Sequence, residues 1–309
     1  MKELVVISGK GGTGKTSLVA AFASLAAKSG TAVFADCDVD AADLHLVFSP
    51  TIRERAEFVS GHVARVDPKR CISSGEEGSC AKCVELCRFG AIRHSFKSGC
   101  EVDEGSCEGC GVCVRFCPVK AIDFPERRCG EWYVSDTRFG TLVHAALDTR
   151  AENSGKLVTT VRKAAKRIAE GLKADWLIVD GSPGTGCPVI ASITGADAVL
   201  IVTEPTLSGR HDLERVASLA RHFGIPFSVV VNKADVNRAM AEETESWCAR
   251  NGVPFLGTIP YDRVVTKAQI AGMSVMEYCR EENRDLSATG HAIAGAITKI
   301  WERVCQSNR

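Results

Sequence analysis

Neither sign of charge predominates in this chain of 309 residues, where 38 lysines and arginines face 38 aspartates and glutamates. Nucleic-acid binders usually gather a basic excess on one face, so the balance gives no reason to expect nucleic acid as a partner. No stretch approaches the roughly 20 apolar residues of a membrane span, which argues against stable membrane insertion. The first apolar run, Leu4-Val5-Val6-Ile7, is too short for a signal peptide and leads straight into a glycine-rich loop. The seven histidines have no spacing that would pair them as metal ligands or set one beside a nucleophile. A cytoplasmic protein of ordinary globular composition is expected, with 45% hydrophobic and 25% charged residues. Against these absences stands an excess of one residue type. Of fifteen cysteines, eight fall into two half-motifs between Cys71 and Cys117. In a reducing compartment that density points to metal ligation rather than a disulfide scaffold.

Six apolar runs have the character of buried strands: Leu4 to Ile7, Ala32 to Ala35, Trp176 to Val179, Ala198 to Val202, Phe227 to Val231 and Phe255-Leu256. Runs without polar alternation suit a parallel sheet covered on both faces. Helical spacing lies between most of them, with Leu18, Phe22 and Leu25 on one face before a stop at Gly30, and Leu157, Val161, Ala165, Ile168 and Leu172 on another. The expected fold is a doubly wound, mainly parallel α/β domain. Residues 61–128 break this rhythm. There Cys80, Cys83, Cys87, Ala91 and Ile92 recur thirty positions later as Cys110, Cys113, Cys117, Ala121 and Ile122. A small duplicated α+β metal module over 61–128 is therefore expected as an insertion into an α/β domain made of 1–60 and 129–309. Asn153-Ser154-Gly155 has the composition of a turn before the α/β pattern resumes.

The loop Gly9-Lys10-Gly11-Gly12-Thr13-Gly14-Lys15-Thr16 matches G-x-x-x-x-G-K-[ST], follows an apolar strand and opens a helix. Backbone N–H groups of Gly11, Gly12, Thr13, Gly14 and the helix start through Ser17 would turn onto phosphate oxygens, Lys15 would reach the β and γ phosphates, and Thr16 would hold Mg²⁺. Asp180 ends an apolar strand, where such folds place a metal-positioning carboxylate, and Gly181-Ser182-Pro183-Gly184 follows as a flexible stretch. A carboxylate that merely caps the next turn is the alternative reading of Asp180. Asn232-Lys233-Ala234-Asp235 fits the guanine-reading pattern N-K-x-D.

Cys107, Cys110, Cys113 and Cys117-Pro118 follow the bacterial ferredoxin run C-x₂-C-x₂-C-x₃-C-P, whose fourth cysteine serves the other cluster. The first half departs from it, because the position three before Cys80 is Glu77, and the nearest substitute is Cys71. Crossed ligation then assigns one [4Fe-4S] cluster to Cys71, Cys80, Cys83 and Cys117, and a second to Cys87, Cys107, Cys110 and Cys113. Cys100 is a nearby competitor for Cys71 and reads as a spare thiol. Two tetrahedral zinc sites would need neither the crossed spacing nor the Cys-Pro ending.

The extra lysine, Lys10, in this loop resembles the deviant Walker A signature of the MinD, ParA, Mrp and nitrogenase iron protein superfamily. Asp36-Cys37-Asp38-Val39-Asp40 resembles its switch I, and Asp180 to Gly184 its switch II. The resemblance implies a nucleotide-dependent homodimer in which Lys10 reaches the partner's nucleotide and Asp38 positions the attacking water. It also implies adenine recognition by Asn232 with the segment ending at Pro260, hence ATP/ADP rather than a guanine nucleotide. With the cysteine module, the chain is similar to superfamily ATPases that carry an inserted two-cluster ferredoxin domain. Cys187, seven residues after Asp180, matches the offset of a cluster cysteine in the nitrogenase iron protein, with Cys129 as a possible second; ordinary burial is the alternative. Cys37, Cys248, Cys279 and Cys305 read as packing residues. The C-terminal stripe Ile293, Ile297, Ile300, Trp301 and Val304 reads as a helix docked on the core rather than a membrane-surface helix. Lys163, Lys166 and Arg167 read as a solvated face. The function implied is an ATPase coupled to electron transfer or cluster handling for a redox or Fe–S partner protein. The alternatives are a MinD-like positioning ATPase and a synthetase-type ligase.

Overall fold

The computed structural model describes residues 1–73, 80–95, 99–148, 154–280 and 288–307. Glu77, Asn153 and most of the extra residues before Cys80 lie outside them. The chain forms two compact units, one of Met1–Ala56, Trp132–Ala146 and Ser154–Arg309, the other of Glu57–Glu131 and Leu147–Asn153. In chain order the elements begin with β1 (Lys2–Ser8), α1 (Lys15–Ser29), β2 (Ala32–Asp36), α2 (Leu44–Phe48) and β3 (Thr51–His62). Then come β4 (Arg65–Val66), α3 (Lys82–Leu86), β5 (Ile92–Ser95), β6 (Gly99–Val102), α4 (Val112–Phe116) and β7 (Ile122–Asp123). The long strands β8 (Glu126–Thr137) and β9 (Gly140–Leu147) precede α5 (Ser154–Gly171), β10 (Trp176–Pro183), α6 (Cys187–Ile193), β11 (Ala198–Thr203) and α7 (Leu207–His222). The chain closes with β12 (Phe227–Asn232), α8 (Arg238–Arg250), β13 (Phe255–Ile259), α9 (Val264–Ile270), α10 (Val275–Tyr278) and α11 (Ala288–Ser307).

The sheet order is β13-β12-β11-β1-β10-β2-β9-β8-β3, and each pairing from β13 to β9 is parallel. All six apolar runs became strands, and their side chains are almost wholly buried, as a parallel sheet covered on both faces requires. Strands β3, β8 and β9 were not expected. Most of β3, with the sequence TIRERAEFVSGH, is exposed, and charged residues interrupt it, so it carries no apolar run to read. The loop after β1 opens between β10 and β11, at the carboxyl ends of the strands, where open α/β sheets bind ligands.

Helix α1 is buried on nearly every face, with Val19, Phe22 and Ala23 fully enclosed. On one side it meets the sheet, and on another α11, whose Ile293, Ile297, Ile300, Trp301 and Val304 are all buried. The Trp301 ring lies 5.0 Å from those of Phe22 and Trp176. Burial of each large apolar side chain contributes about 1.5–3 kcal/mol, so the stripe ties this helix into the core as expected.

Two local expectations need correction, and a third holds. Gly30 ends α1 as expected, with an extended backbone at φ 168. Space explains the glycine, because a Cβ there would meet Asp175 Oδ2 at 2.1 Å. Leu172 is 53% exposed, since α5 ends at Gly171 and its buried face runs through Val158, Val161, Ala165 and Ala169 instead; Ile168 is only half-buried. Lys163 and Arg167 are exposed, whereas Lys166 reaches Glu3 Oε2 at 3.3 Å. Glu3, 1% exposed on β1, is held chiefly by Arg162 at 2.6 Å, so its charge is compensated rather than stranded in the core.

In the second unit β4 pairs antiparallel with β7, and β5 with β6. The helices α3 and α4 are one-turn elements that start within one half-motif each and end at Cys87 and Cys117.

Candidate functional site

Gly14 caps α1 in the left-handed conformation at φ 87, and a Cβ there would lie 2.2 Å from Asn232 Nδ2. That amide donates to Thr13 O at 2.8 Å, so β12 is fastened to the glycine loop through a contact only glycine permits. The loop edges a cavity of about 480 Å³ lined by Gly11, Gly12, Thr13, Gly14, Lys15, Thr16 and Ser17. Asp38, Asn232 and Pro260 line the same cavity, as do Lys233, Tyr261, Val265 and Gln269. Lys233 belongs to the N-K-x-D run, whereas Tyr261, Val265 and Gln269 carry no motif; these three follow Pro260 in the chain and are brought in by the turn into α9.

Lys15 is 5% exposed, and its Nζ sits 2.7 Å from Asp180 Oδ1 and 3.2 Å from Asp38 Oδ2. Burial acts to lower its pKa, but Asp180 and Asp38 outweigh it and hold the ammonium above the usual lysine range. Asp36 is fully buried and pairs in register with Asp180 across β2 and β10. Burial, reinforced by Asp180, pushes Asp36 well above the ordinary carboxylate range. Its oxygens accept from Asp38 N at 3.1 Å and Leu44 N at 3.2 Å, so it orders the segment that presents Asp38. Asp38 is raised as well, chiefly by burial, with Lys15 opposing. The two switch-like segments are joined directly. Cys37 N donates to Asp180 O at 2.8 Å, and Ser182 Oγ donates to Cys37 O at 2.6 Å. Asp180 Oδ2 and Thr13 Oγ1 are buried without a hydrogen-bond partner.

Lys10 does not line this cavity. Its Nζ lies 3.0 Å from Glu204 Oε2 and 3.3 Å from Ser208 Oγ, with a third of the side chain exposed. Glu204 also accepts from Lys233, which donates to Gly12 O at 2.9 Å. Hydrogen bonds from Lys233 and then Lys10 hold Glu204 below the usual carboxylate range against a burial effect of opposite sign. Glu204 went unnoticed in the sequence because it belongs to no motif. Asp235 points elsewhere, accepting from Tyr261 N at 2.6 Å, and it does not line the cavity.

The cysteine unit shows a second repeat that the first conceals. Asp103 precedes Cys107 by four positions, as Asp67 precedes Cys71. Both aspartates cap the turn, Asp67 Oδ1 accepting from Lys69 N at 2.9 Å and Asp103 Oδ1 from Gly105 N at 3.1 Å. Each also donates across to the other half, Asp67 N to Ala121 O at 2.8 Å and Asp103 N to Ala91 O at 2.7 Å. Cys71 and Cys107 thus occupy equivalent places, 36 residues apart where the remaining cysteines are 30 apart. Cys87, Cys107, Cys110 and Cys113 line one apolar cavity together with Ala64, Leu86, Ile92 and Phe124. Cys83 is pushed up to about 12, first by burial and then by a hydrogen bond with Cys100. Among the described residues, no three His, Cys, Asp or Glu side chains converge as closely as bound metal ligands do. Four thiols in a mostly apolar lining, with Glu108 at its side, are the donor set and environment that an iron–sulfur cluster takes, so the residues fit such a group.

Cys187 is exposed at the start of α6, while Cys129 is buried and its thiol donates to Ser60 O at 3.1 Å. Cys37 and Cys248 are fully buried, and Cys279 and Cys305 pack partly buried against the core.

The chain is similar to known proteins along most of its length. It is 33% identical over 235 residues, 76% of this chain and 79% of that one, to an uncharacterized protein of Methanocaldococcus jannaschii. An iron-sulfur cluster carrier protein of Pyrococcus horikoshii is 28% identical over 141 residues, 40% of this chain and 46% of that one. Among solved structures, the septum site-determining protein MinD complexed with Mg-ADP, from Pyrococcus horikoshii, matches with a TM-score of 0.57 at 17% identity, covering 98% of this chain and 95% of that one. The family model of the CobQ/CobB/MinD/ParA nucleotide binding domain matches residues 4–275, and with that extent the chain belongs to this family.

Proposed function

We propose that this protein binds and hydrolyses ATP and couples that nucleotide switch, through two [4Fe-4S] clusters, to electron transfer or cluster delivery to a partner protein. The observation that carries the reading is the gathering of Cys87, Cys107, Cys110 and Cys113 around one apolar cavity in a chain whose other unit holds a phosphate loop. Those four are the set that crossed ligation assigns to a single cluster. Cys71, placed as Cys107 is, completes the other set with Cys80, Cys83 and Cys117. The clusters would supply one-electron chemistry.

In the nucleotide site, Lys15 is a cation already desolvated and waiting between two carboxylates. A triphosphate entering the cavity would replace Asp38 and Asp180 as its counter-charge. Thr16 and Asp180 would hold Mg²⁺, and the unpartnered Asp180 Oδ2 suits that role. Asp38, its carboxylate kept basic by burial, would orient the attacking water. The base would lie against Asn232 and Pro260, and the engagement of Asp235 with Tyr261 supports adenine over guanine. Lys10, turned away from its own cavity, is free of any role there and available to a second copy in a nucleotide-dependent homodimer.

The test is anaerobic purification followed by redox titration apo, with ADP and with a non-hydrolysable ATP analogue. A coupling of about 1–3 kcal/mol would move a one-electron potential by roughly 40–130 mV, and reduction would change ATP affinity by the matching factor. Potentials and affinities identical in every state would leave the positioning reading, which the likeness to a MinD structure favours and ATP-dependent vesicle flotation would reveal. Among the described residues no helix is long and apolar enough to cross a membrane.

A further inference from the structure

The two halves of the cysteine unit differ at one position that their equivalence makes meaningful. With Asp67 matched to Asp103 and Cys71 to Cys107, residue 64 corresponds to residue 100. Ala64 is fully buried and lines the cavity of Cys87, Cys107, Cys110 and Cys113. Its counterpart Cys100 is 3% exposed, held on β6 opposite His94 of β5, and acts with Cys71 to raise Cys83, after the larger effect of burial. One set of four cysteines is therefore bounded by a methyl group, and the other by a fifth thiol. The same half has the longer lead: Cys71 is nine residues from Cys80, whereas Cys107 is three from Cys110. A thiol fixed in a paired strand competes well with one separated from its partner ligands by more residues of sequence, because closing a longer chain segment costs more entropy.

We propose that Cys100 is a reserve ligand of the first cluster, able to take the place of Cys71 on its iron. This rests on the two-cluster reading. The exchange balances without an oxidant or reductant: the Cys100 thiol gives up its proton as its sulfur bonds iron, the Cys71 sulfur–iron bond breaks, and the Cys71 thiolate takes up a proton. The first site is thereby the exchangeable one. Its iron can release Cys71 without being left three-coordinate, the condition under which an incoming protein thiolate could capture a cluster. The second site, bounded by Ala64, has no such route.

The full-length protein is prepared without oxygen as wild type, Cys71→Ala, Cys100→Ala, Cys71→Ala/Cys100→Ala and Cys107→Ala. Iron and acid-labile sulfide are counted, and the reduced spectra are compared. Wild type and both single variants, Cys71→Ala and Cys100→Ala, are expected to hold about eight irons each; the double variant and Cys107→Ala should hold about four. A Cys71→Ala protein with about four irons, indistinguishable from the double variant, overturns the proposal. Wild type without iron overturns the two-cluster reading and this inference with it, a result distinct from the first. Should Cys71→Ala fail to fold, Ala64→Cys/Cys107→Ala decides: transplanting the reserve thiol should restore the second cluster, and its failure to do so refutes the equivalence on which Cys100 was assigned.

Discussion

Replacing Gly14 by alanine tests the join between β12 and the glycine loop. The residue sits at φ 87, a region that costs an L-residue about 1–2 kcal/mol. The new methyl would also stand 2.2 Å from Asn232 Nδ2, so the amide must turn away and give up its 2.8 Å bond to Thr13 O. That loss adds about 1 kcal/mol, for a total of about 2–3 kcal/mol. If the loop must hold this shape to bind nucleotide, affinity for Mg-ATP falls about 30- to 150-fold, at 1.4 kcal/mol per decade. The second background separates the two causes. In Asn232→Ala there is no amide to displace, so Gly14→Ala should cost only the backbone contribution of about 1–2 kcal/mol. Calorimetric titration of the four proteins closes the cycle. Equal losses in both backgrounds would show that Asn232 does not brace the loop, and the argument from this contact would fail.

Lys10→Ala should retain ATP affinity, since Lys10 lies on Glu204 outside its own cavity, yet lose turnover and nucleotide-dependent dimerisation; unimpaired turnover by a monomer contradicts the assignment. Asp38→Asn should bind ATP while phosphate release slows about 10²-fold, and an unchanged rate would shift attention to Asp40. His144, buried against His45 and bonded to Ser135 Oγ at 2.9 Å, is pulled down to about 4, first by burial and then by His45. Its folded value lies below the unfolded 6.5, so its contribution is whole above pH 6.5 and is lost as pH falls toward 4, at about 1.4 kcal/mol per pH unit. Urea unfolding followed by tryptophan fluorescence checks this in the first unit alone, because Trp132, Trp176, Trp247 and Trp301 all belong to it. His144→Gln should flatten the slope between about pH 6.5 and pH 5, and a slope that persists in that variant assigns it to another group.

The sheet was legible where strands are covered on both faces, because β1, β2 and β10 to β13 then need unbroken apolar runs. Strands β3 and β8 were illegible for the opposite reason: their charged, half-exposed residues satisfy a strand without announcing one. The glycine loop could be read residue by residue, since its chemistry constrains consecutive positions. Glu204 could not, because its meaning lies in two lysines drawn to it from Lys10 and Lys233. The six-residue difference between the 36- and 30-residue offsets hid the equivalence of Cys71 and Cys107. It emerged only when Asp67 and Asp103 were seen to make the same turn and the same crossed hydrogen bond. Glu3 carried no signal in the sequence, because its burial depends on Arg162 arriving from a distant helix.

The tie between Cys37 and the Asp180–Ser182 segment has a mechanical consequence. Two hydrogen bonds, at 2.8 and 2.6 Å, join the neighbouring strand ends, the first from backbone to backbone between Cys37 and Asp180, the second from the Ser182 side chain to Cys37 O. Displacing either segment alone would strand a buried carbonyl or amide, at about 1–3 kcal/mol each. The cheaper motion carries both together as a single lever. Loss of a phosphate sensed at one strand end would then be reported at both, all or none rather than by degrees.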